Sequence, residues 1–243
     1  MKLLYSLANP ALFVKISRWM LPPLWLATLI SFAIGLYMSL VVAPADYQQG
    51  ETVRIMFIHV PSAWLALLCY SAMTLSALGT LVFRHPLADI AQKAAAPLGA
   101  GFTAVCLITG SIWGKPTWGS WWEWDARLTS MLILLLIYLG IIALWRAIEE
   151  PSKAARAVAV HTLVGAINIP IIKFSVDWWY TLHQPASVMR LGGAAIHSTI
   201  LQPLLVMGLA YLLLFITLLL VRMRAELDER KIRRLRLLAV QEA

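Results

Sequence analysis

Long apolar runs separated by short polar segments make up most of the chain. Each run is long enough to cross a bilayer, whose hydrocarbon core is spanned by about 20 residues of α-helix. The pattern predicts an all-α integral membrane protein, folded as a single membrane domain with a six-transmembrane-helix bundle. The predicted spans are residues 24–42, 62–83, 94–112, 128–145, 157–176 and 196–221, with a polar segment at 113–127 and a charged tail at 222–243.

The composition excludes several other classes of protein. Hydrophobic residues make up 60% of the chain and charged residues 13%, whereas an ordinary soluble domain has about 25% charged residues. The short alternating segments of an outer-membrane β-barrel are missing from the sequence. Cys69 and Cys106 both lie in apolar runs, so neither a disulfide nor a thiolate metal site is indicated, and the sequence has no Cys-x-x-Cys-His motif of a c-type cytochrome.

The formal net charge of +8 reflects membrane topology. Nucleic-acid binding would need a basic patch on a water-facing surface, but these cations lie between the apolar runs, so no nucleic-acid partner is predicted. Most lysines and arginines, including seven in the tail, fall on one side of the predicted spans. Because cytoplasmic loops are enriched in Lys and Arg, both termini are predicted to be cytoplasmic.

Tryptophan is concentrated in the segment 113–127, which contains five of the eleven in the chain: Trp113, Trp118, Trp121, Trp122 and Trp124. If residues 118–125 form a short helix, Trp118, Trp121, Trp122 and Asp125 share one face, which we call the aromatic shelf. The alternative is an aromatic belt at the membrane interface, but a belt would populate both interfaces. The predicted topology instead puts this segment, Trp178 and Trp179 on the non-cytoplasmic face, which favours the shelf.

Three of the five histidines, His59, His183 and His197, are predicted at the same face as the tryptophans. Two imidazoles at one depth beside a flat aromatic surface predict a planar ligand between them, and heme is the obvious one, because two histidines can hold its iron from opposite sides. We therefore predict heme b with bis-histidine ligation by His59 and His183. His197 is the reserve ligand, or simply a histidine paired within the bundle.

Charged residues near the shelf have two interpretations each. The cations predicted on that face could meet heme propionates, although a solvated or snorkelling side chain is the better interpretation for each one: Arg54, Lys115, Arg127 and Arg190. Asp125 could orient a ligand through a hydrogen bond or simply pair with Arg127. Lys173, inside the fifth span, is a functional candidate by its depth but lies close enough to the outer end to snorkel.

Four stretches resemble the heme exporter protein C family (CcmC) of the cytochrome c maturation system. They are residues 113–130, 43–50, 58–61 and 178–183, and the first carries the tryptophan-rich WWD signature of heme-handling proteins. The resemblance implies a bacterial inner-membrane protein, not an enzyme, whose periplasmic WWD segment and two flanking histidines hold heme. By position, the histidines are His59 and His183, and the heme-binding residues are Trp113, Trp118, Trp121, Trp122, Trp124, Asp125 and Arg127.

The resemblance also implies partners. Family members load heme onto the periplasmic heme chaperone CcmE, and a small membrane protein, CcmD, and an ABC transporter, CcmAB, complete the complex. Two other functions remain as alternatives: a permease subunit of a heme or small-molecule ABC exporter, and a scaffold for that transporter. A permease would place polar groups and broken helices at the bilayer midplane, whereas the special residues here gather at one face.

Overall fold

The structure is a computed structural model that describes residues 9–185, 187–188, 190 and 192–241. Lys2, one of the predicted cytoplasmic cations, lies outside the described residues. In the described part every regular element is helical, apart from a two-residue bridge between Asp46 and Gly50. The helices are α1 Pro10–Tyr37, α2 Met56–Leu81, α3 Ala88–Trp118, α4 Ala126–Ala147, α5 Pro151–Gly165, α6 Asn168–Trp178 and α7 Ser198–Gln241.

The predicted fold class is confirmed, because six helical segments are long and apolar enough to cross a membrane. Two short elements complete them: a π-helical turn, Met38–Val42, extends α1, and a 3-10 turn, Glu51–Ile55, leads into α2. The fifth segment combines α5 and α6, which are separated only at residues 166–167. The chain is therefore a multi-pass membrane protein.

The first and last helices are longer than their predicted spans. Helix α1 begins at Pro10 rather than near residue 24, and α7 continues to Gln241 rather than ending near residue 221. Charged side chains limit the length of an apolar run, but Lys, Arg and Glu are good helix formers. A helix can therefore extend beyond the membrane without any change of backbone conformation.

Two buried tyrosines lie at the centre of the bundle. Tyr70 of α2 and Tyr138 of α4 meet edge to face at 5.3 Å between ring centroids. The Tyr138 hydroxyl donates a hydrogen bond to the Ala66 carbonyl at 2.8 Å, so this polar group is satisfied within the apolar core. A side chain at Gly99 would place its Cβ 2.2 Å from the Tyr138 ring, so only glycine lets α3 approach this closely.

Because the spans alternate in direction, the bundle has two chemically distinct ends. The histidine end comprises the start of α2, the end of α3, the start of α4, the end of α6 and the start of α7. The tail end comprises the start of α3, the end of α4, the start of α5 and the last part of α7. Large apolar side chains of α1 and its π-helical extension that face away from the bundle are exposed, for example Leu29 and Val41, as expected for a surface in contact with lipid.

Candidate functional site

His59 lies one turn into α2, against the end of α3. Its Nδ1 is 3.0 Å from the Cys106 carbonyl oxygen and 3.1 Å from the Thr109 hydroxyl. A carbonyl oxygen can only accept a hydrogen bond, so Nδ1 carries the ring proton. The lone pair of neutral His59 is therefore on Nε2, which is the arrangement found in histidines that ligate metals.

The position of the His59 ring depends on two residues of α3. A Cβ at Gly110 would lie 2.9 Å from the ring carbon Cε1, so the imidazole occupies space that any larger residue would fill. The Trp113 indole contacts the ring edge-on, with 5.6 Å between centroids. The Trp113 Nε1 donates to the side-chain oxygen of Gln49 at 2.9 Å, so the indole is itself held in place.

Gln49 belongs to a tight loop between α1 and α2. The carboxylate of Asp46 accepts hydrogen bonds from the backbone N–H groups of Gln48 and Gln49, both at 2.9 Å. Gly50 adopts a φ of +57°, a conformation that favours glycine, and closes the loop by backbone pairing with Asp46. The loop thereby directs Gln49 towards the tryptophan segment.

The short helix over residues 118–125, on which the aromatic shelf depends, does not form. Helix α3 continues through Trp118, and Gly119, with a φ of +82°, ends it with a left-handed residue. Residues 119–125 follow without regular structure. The Ser111 hydroxyl donates to the Trp121 carbonyl at 2.8 Å and folds the segment back along α3.

The tryptophans gather at the histidine end, but they do not form the flat shelf. Trp122 and Trp124 meet edge to face, with 5.5 Å between centroids and 77° between ring planes. Trp121 and Trp124 are 58% and 75% exposed. Trp122 is partly buried, and its Nε1 has no hydrogen-bond acceptor among the described residues. The segment therefore presents the edges and faces of separate indole rings and one buried N–H donor without an acceptor, rather than a single flat surface.

Asp125 connects the tryptophan segment to His183. It caps α4, because one carboxylate oxygen accepts from the Leu128 N–H at 2.7 Å. The other oxygen accepts from the Thr181 hydroxyl and lies 3.3 Å from Nδ1 of His183. Since a carboxylate attracts the proton to Nδ1, the Nε2 of His183 is again left with the lone pair. The His183 ring also contacts the Trp118 indole at 4.9 Å between centroids.

Burial and charge set the protonation states of this pair. Burial lowers the pKa of His183 below its ordinary 6.5, and the nearby Asp125 carboxylate offsets this effect only in part. For Asp125, burial works to raise the pKa, but hydrogen bonds from Leu128 and Thr181 and the proximity of His183 hold the pKa below its usual value. At neutral pH the pair is therefore a neutral imidazole beside a carboxylate, and the imidazole is free to act as a ligand.

Arg127 contacts α6 and does not pair with Asp125. Its guanidinium donates to the Ser175 hydroxyl at 3.1 Å and lies 3.4 Å from the carbonyl oxygens of Ile172 and Lys173. Its positive charge adds to the lowering of the pKa of His183. The two histidines come from separate parts of the chain, and their rings contact Trp113 and Trp118 in the last turns of α3.

The other candidate residues at this end have contacts of their own. Arg54 pairs with Glu51 at 2.5 Å and also donates to the Ser39 carbonyl, and Lys115 donates to the Gly119 carbonyl. Arg190 is exposed. His197 is exposed at the start of α7, where its carbonyl accepts the first helical hydrogen bonds and its ring contacts the Thr199 hydroxyl.

Comparison with known proteins gives the family. The sequence profile of "Heme exporter protein C" matches residues 3–238. The chain belongs to the heme exporter protein C family. The heme exporter protein C of Bradyrhizobium diazoefficiens is 62% identical over 97% of this chain and 89% of its own length, and that of Escherichia coli K12 is 44% identical over 92% and 90%. A protein of Marchantia polymorpha described as a putative cytochrome c biosynthesis ccmC-like mitochondrial protein is 49% identical over 71% of this chain and 72% of its own.

Sequence reasoning missed the residues that hold the histidines and tryptophans in place. Those around His59, the Cys106 carbonyl, Thr109 and Gly110, lie 47 to 51 residues from it in an unremarkable apolar helix, so no local signal marks them. Thr181 could have been identified from the sequence, since it lies two residues before His183 in a motif that resembles the family. Among the described residues, no group of three or more His, Cys, Asp or Glu side chains is arranged to hold a metal ion.

Proposed function

We propose that this family member binds heme b at its histidine end, with His59 and His183 as the axial ligands of the iron, and passes the heme to the periplasmic heme chaperone CcmE. The protein acts as a binding and transfer protein and not as an enzyme. The heme supplies the iron and the porphyrin. The chain supplies two neutral imidazoles, indoles that cover the macrocycle, and polar groups for the propionates.

The observation that carries the proposal is the matching state of the two imidazoles. In each ring, Nδ1 faces an oxygen acceptor, the Cys106 carbonyl for His59 and the Asp125 carboxylate for His183. Each Nε2 therefore has an available lone pair, which is what iron ligation requires.

The polar groups at the site fit the propionates of heme unequally. Arg127, Arg54 and Lys115 are each occupied by protein acceptors, and Trp113 donates to Gln49. The buried Nε1 of Trp122 has no acceptor, so it is the group best suited to donate a hydrogen bond to a carboxylate. The positive charge of Arg127 favours a carboxylate in the same region, while its guanidinium keeps its contacts with α6.

The charge distribution supports a bacterial inner-membrane location with both termini cytoplasmic and the histidine end in the periplasm. This orientation presents the site to a periplasmic chaperone. The relatives are named exporter proteins, so we also propose an association with the ABC transporter CcmAB and with the small membrane protein CcmD.

The experiment is absorption spectroscopy of the detergent-purified protein with bound heme. We expect a low-spin bis-histidine spectrum that is lost in His59→Ala and in His183→Ala. His197→Ala, which removes an exposed histidine at the same end, is the matched control and should keep the spectrum. A normal spectrum in either of the first two variants, or its loss only in His197→Ala, would overturn the ligand assignment.

Delivery needs a second measurement. Heme-loaded protein is mixed with purified CcmE, and the two are separated by affinity chromatography before their heme content is measured. We expect heme to move to CcmE from the unmodified protein. If the protein is only a scaffold for the transporter, heme attachment to CcmE in cells will be the same in the double variant His59→Ala/His183→Ala as in the unmodified protein.

A further inference from the structure

A second candidate site lies at the tail end, far from the histidines. It is a cleft of about 590 Å³ between the end of α4, the start of α5 and the part of α7 that continues beyond its predicted span. Apolar side chains line its edges, among them Ile148, Pro151 and Leu237. Because α4 ends and α5 begins here, the cleft is at the level of the membrane surface.

Ion pairs hold one wall of this cleft in place. Lys93 of α3 pairs with Glu226 of α7 at 2.7 Å. Arg230 pairs with Asp89 at 2.8 Å and with Glu226 at 3.0 Å. These contacts fix α7 against α3, and they neutralise the cations that take part in them. The basic character of the cleft must therefore come from other residues.

Three guanidinium groups line the cleft without a carboxylate partner. Arg146, Arg233 and Arg234 make no ion pair within 4.0 Å with any other residue in the described ranges, and all three are exposed. Glu149 and Glu229 also line the cleft, but the cations outnumber the carboxylates. Arginine recognises phosphate with two parallel hydrogen bonds, so a set of such side chains around one cavity suits a phosphate group.

A partly buried indole provides a second, independent sign of a ligand. The Nε1 atom of Trp145, which also lines the cleft, is buried and has no hydrogen-bond acceptor among the residues described. The Lys93 ammonium lies 5.7 Å from the centre of the same ring, so the indole is fixed from its face. A buried donor without a partner is costly, and an anionic ligand that displaces the side chains covering this N–H would supply the missing acceptor.

We propose that this cleft binds the phosphate headgroup of an anionic phospholipid. The guanidinium groups of Arg146, Arg233 and Arg234 and the Trp145 N–H contact the phosphate oxygens, while the apolar edges contact the first part of the acyl chains. A basic pocket between helices at the membrane surface is well placed for such a lipid. Free phosphate has the same charge chemistry but could not use the apolar edges.

The test is lipid binding to the purified full-length protein, measured by native mass spectrometry during titration with phosphatidylglycerol and, separately, phosphatidylcholine. We expect the unmodified protein to bind phosphatidylglycerol preferentially. The double variant Arg233→Gln/Arg234→Gln should weaken that binding at least tenfold, since a cation near a lipid surface contributes about fivefold. The matched control is Lys231→Gln/Arg236→Gln, which removes the same charge from the same helix at positions that do not line the cleft.

Several outcomes would overturn the proposal. Equal losses in the two double variants would indicate diffuse attraction to the charged helix, and no loss in either would exclude the cleft. Inorganic phosphate that competes with phosphatidylglycerol at similar concentrations would indicate a free-anion site. Lipid binding that is unchanged in Arg233→Gln/Arg234→Gln, together with lost association with the ABC transporter, would make the cleft a protein interface.

Trp145→Phe tests the indole donor separately. Phenylalanine keeps an aromatic ring beneath Lys93 but removes the N–H, and we expect phosphatidylglycerol binding to weaken about tenfold. The control is Trp19→Phe on α1, where the indole is 78% exposed and lies outside the cleft. Equal binding by the two variants would contradict the role of Trp145. Circular dichroism and size-exclusion chromatography verify that each variant is folded.

Discussion

The two histidines reach the same chemical state by different means. His59 is on a transmembrane helix, and the acceptor at its Nδ1 is a backbone carbonyl of α3, whose position is fixed by the packing of two helices. His183 is on a non-helical connection, and the acceptor at its Nδ1 is the Asp125 side chain, which is itself held by Thr181. The orientation of His59 is therefore set by helix packing, whereas the orientation of His183 depends on hydrogen bonds between side chains.

The difference has a consequence for a protein that must release what it binds. No substitution at position 106 can remove the carbonyl that orients His59. The His183 arrangement, in contrast, responds to any change in the charge or hydrogen bonding of Asp125. We therefore expect the His59 side to anchor the ligand and the His183 side to tune its affinity.

Asp125→Asn should have the largest effect. The amide keeps an oxygen for capping α4 but replaces the second oxygen with an NH2 group, which cannot accept the Nδ1 proton. The His183 ring is then expected to place its proton on Nε2 and to become a poor ligand. Loss of such an outer hydrogen-bond partner lowers metal affinity about 10–100-fold. Heme titration followed by absorption measures this loss.

Asp177→Asn is the matched control, because Asp177 is an exposed carboxylate at the end of α6 that is felt electrostatically by Arg127. It should leave heme affinity nearly unchanged. Similar losses in both variants would mean that the negative charge near Arg127 matters rather than the orientation of His183. The hydrogen bond between Asp125 and His183 would then not be what sets the heme affinity.

Gly110→Ala addresses the His59 side. The added Cβ would lie 2.9 Å from the imidazole, so the ring must shift, and because its acceptor is fixed backbone it cannot keep its hydrogen bond. We expect heme affinity to fall about tenfold. Gly101→Ala on the same helix meets nothing within 4 Å and should bind heme normally. Equal affinities in the two variants would show that the His59 ring is not confined.

The all-α fold could be predicted from the sequence because it depends on composition, and it is confirmed. The ligation of heme by His59 and His183 rests on short motifs and stays a prediction. The sequence did not predict that α3 would continue through Trp118. Gly114 and Pro116 indicate a break there, yet the Thr117 hydroxyl donates to the Trp113 carbonyl and Gly119 supplies the helix end. Gly114 and Pro116 are therefore helix-breaking residues by local preference, but the helix ends at Gly119 instead.

The supporting contacts could not be predicted for a different reason. Cys106 acts through its backbone carbonyl, so its side chain carries no information about this role. Gly110 acts through the side chain that it lacks, and an apolar helix contains other glycines, such as Gly101, with no such role. Asp125 lies against His183, and its role in orienting a ligand stays a prediction, whereas its alternative partner Arg127 contacts α6 instead.

The stability of the folded protein is expected to depend on pH through His183. Burial keeps the pKa of His183 in the folded protein below the ordinary 6.5 of the unfolded chain, so the unfolded state binds more protons as the pH falls below that value. The stabilising contribution of His183 is thus complete above about pH 6.5 and declines below it, by at most about 1.4 kcal/mol per pH unit.

Thermal unfolding of the heme-free protein between pH 7.5 and 5.5 measures this decline. His183→Gln removes the titrating group, so its unfolding temperature should fall less steeply with acid than that of the unmodified protein. His85→Gln at the tail end is the control for loss of a histidine. Parallel curves for the unmodified protein and His183→Gln would show that His183 does not resist protonation in the fold.

The smallest effect is expected for Thr109→Val, and a matched threonine makes it informative. Thr109 is a second contact of His59 Nδ1, but the Cys106 carbonyl remains when the hydroxyl is removed, so heme affinity should fall about threefold or less. Thr181→Val, in contrast, removes a hydrogen bond from the carboxylate that orients His183, and we expect a loss of about tenfold. If Thr109→Val costs as much as Thr181→Val, the backbone carbonyl does not hold His59 by itself, and both histidines depend on side chains.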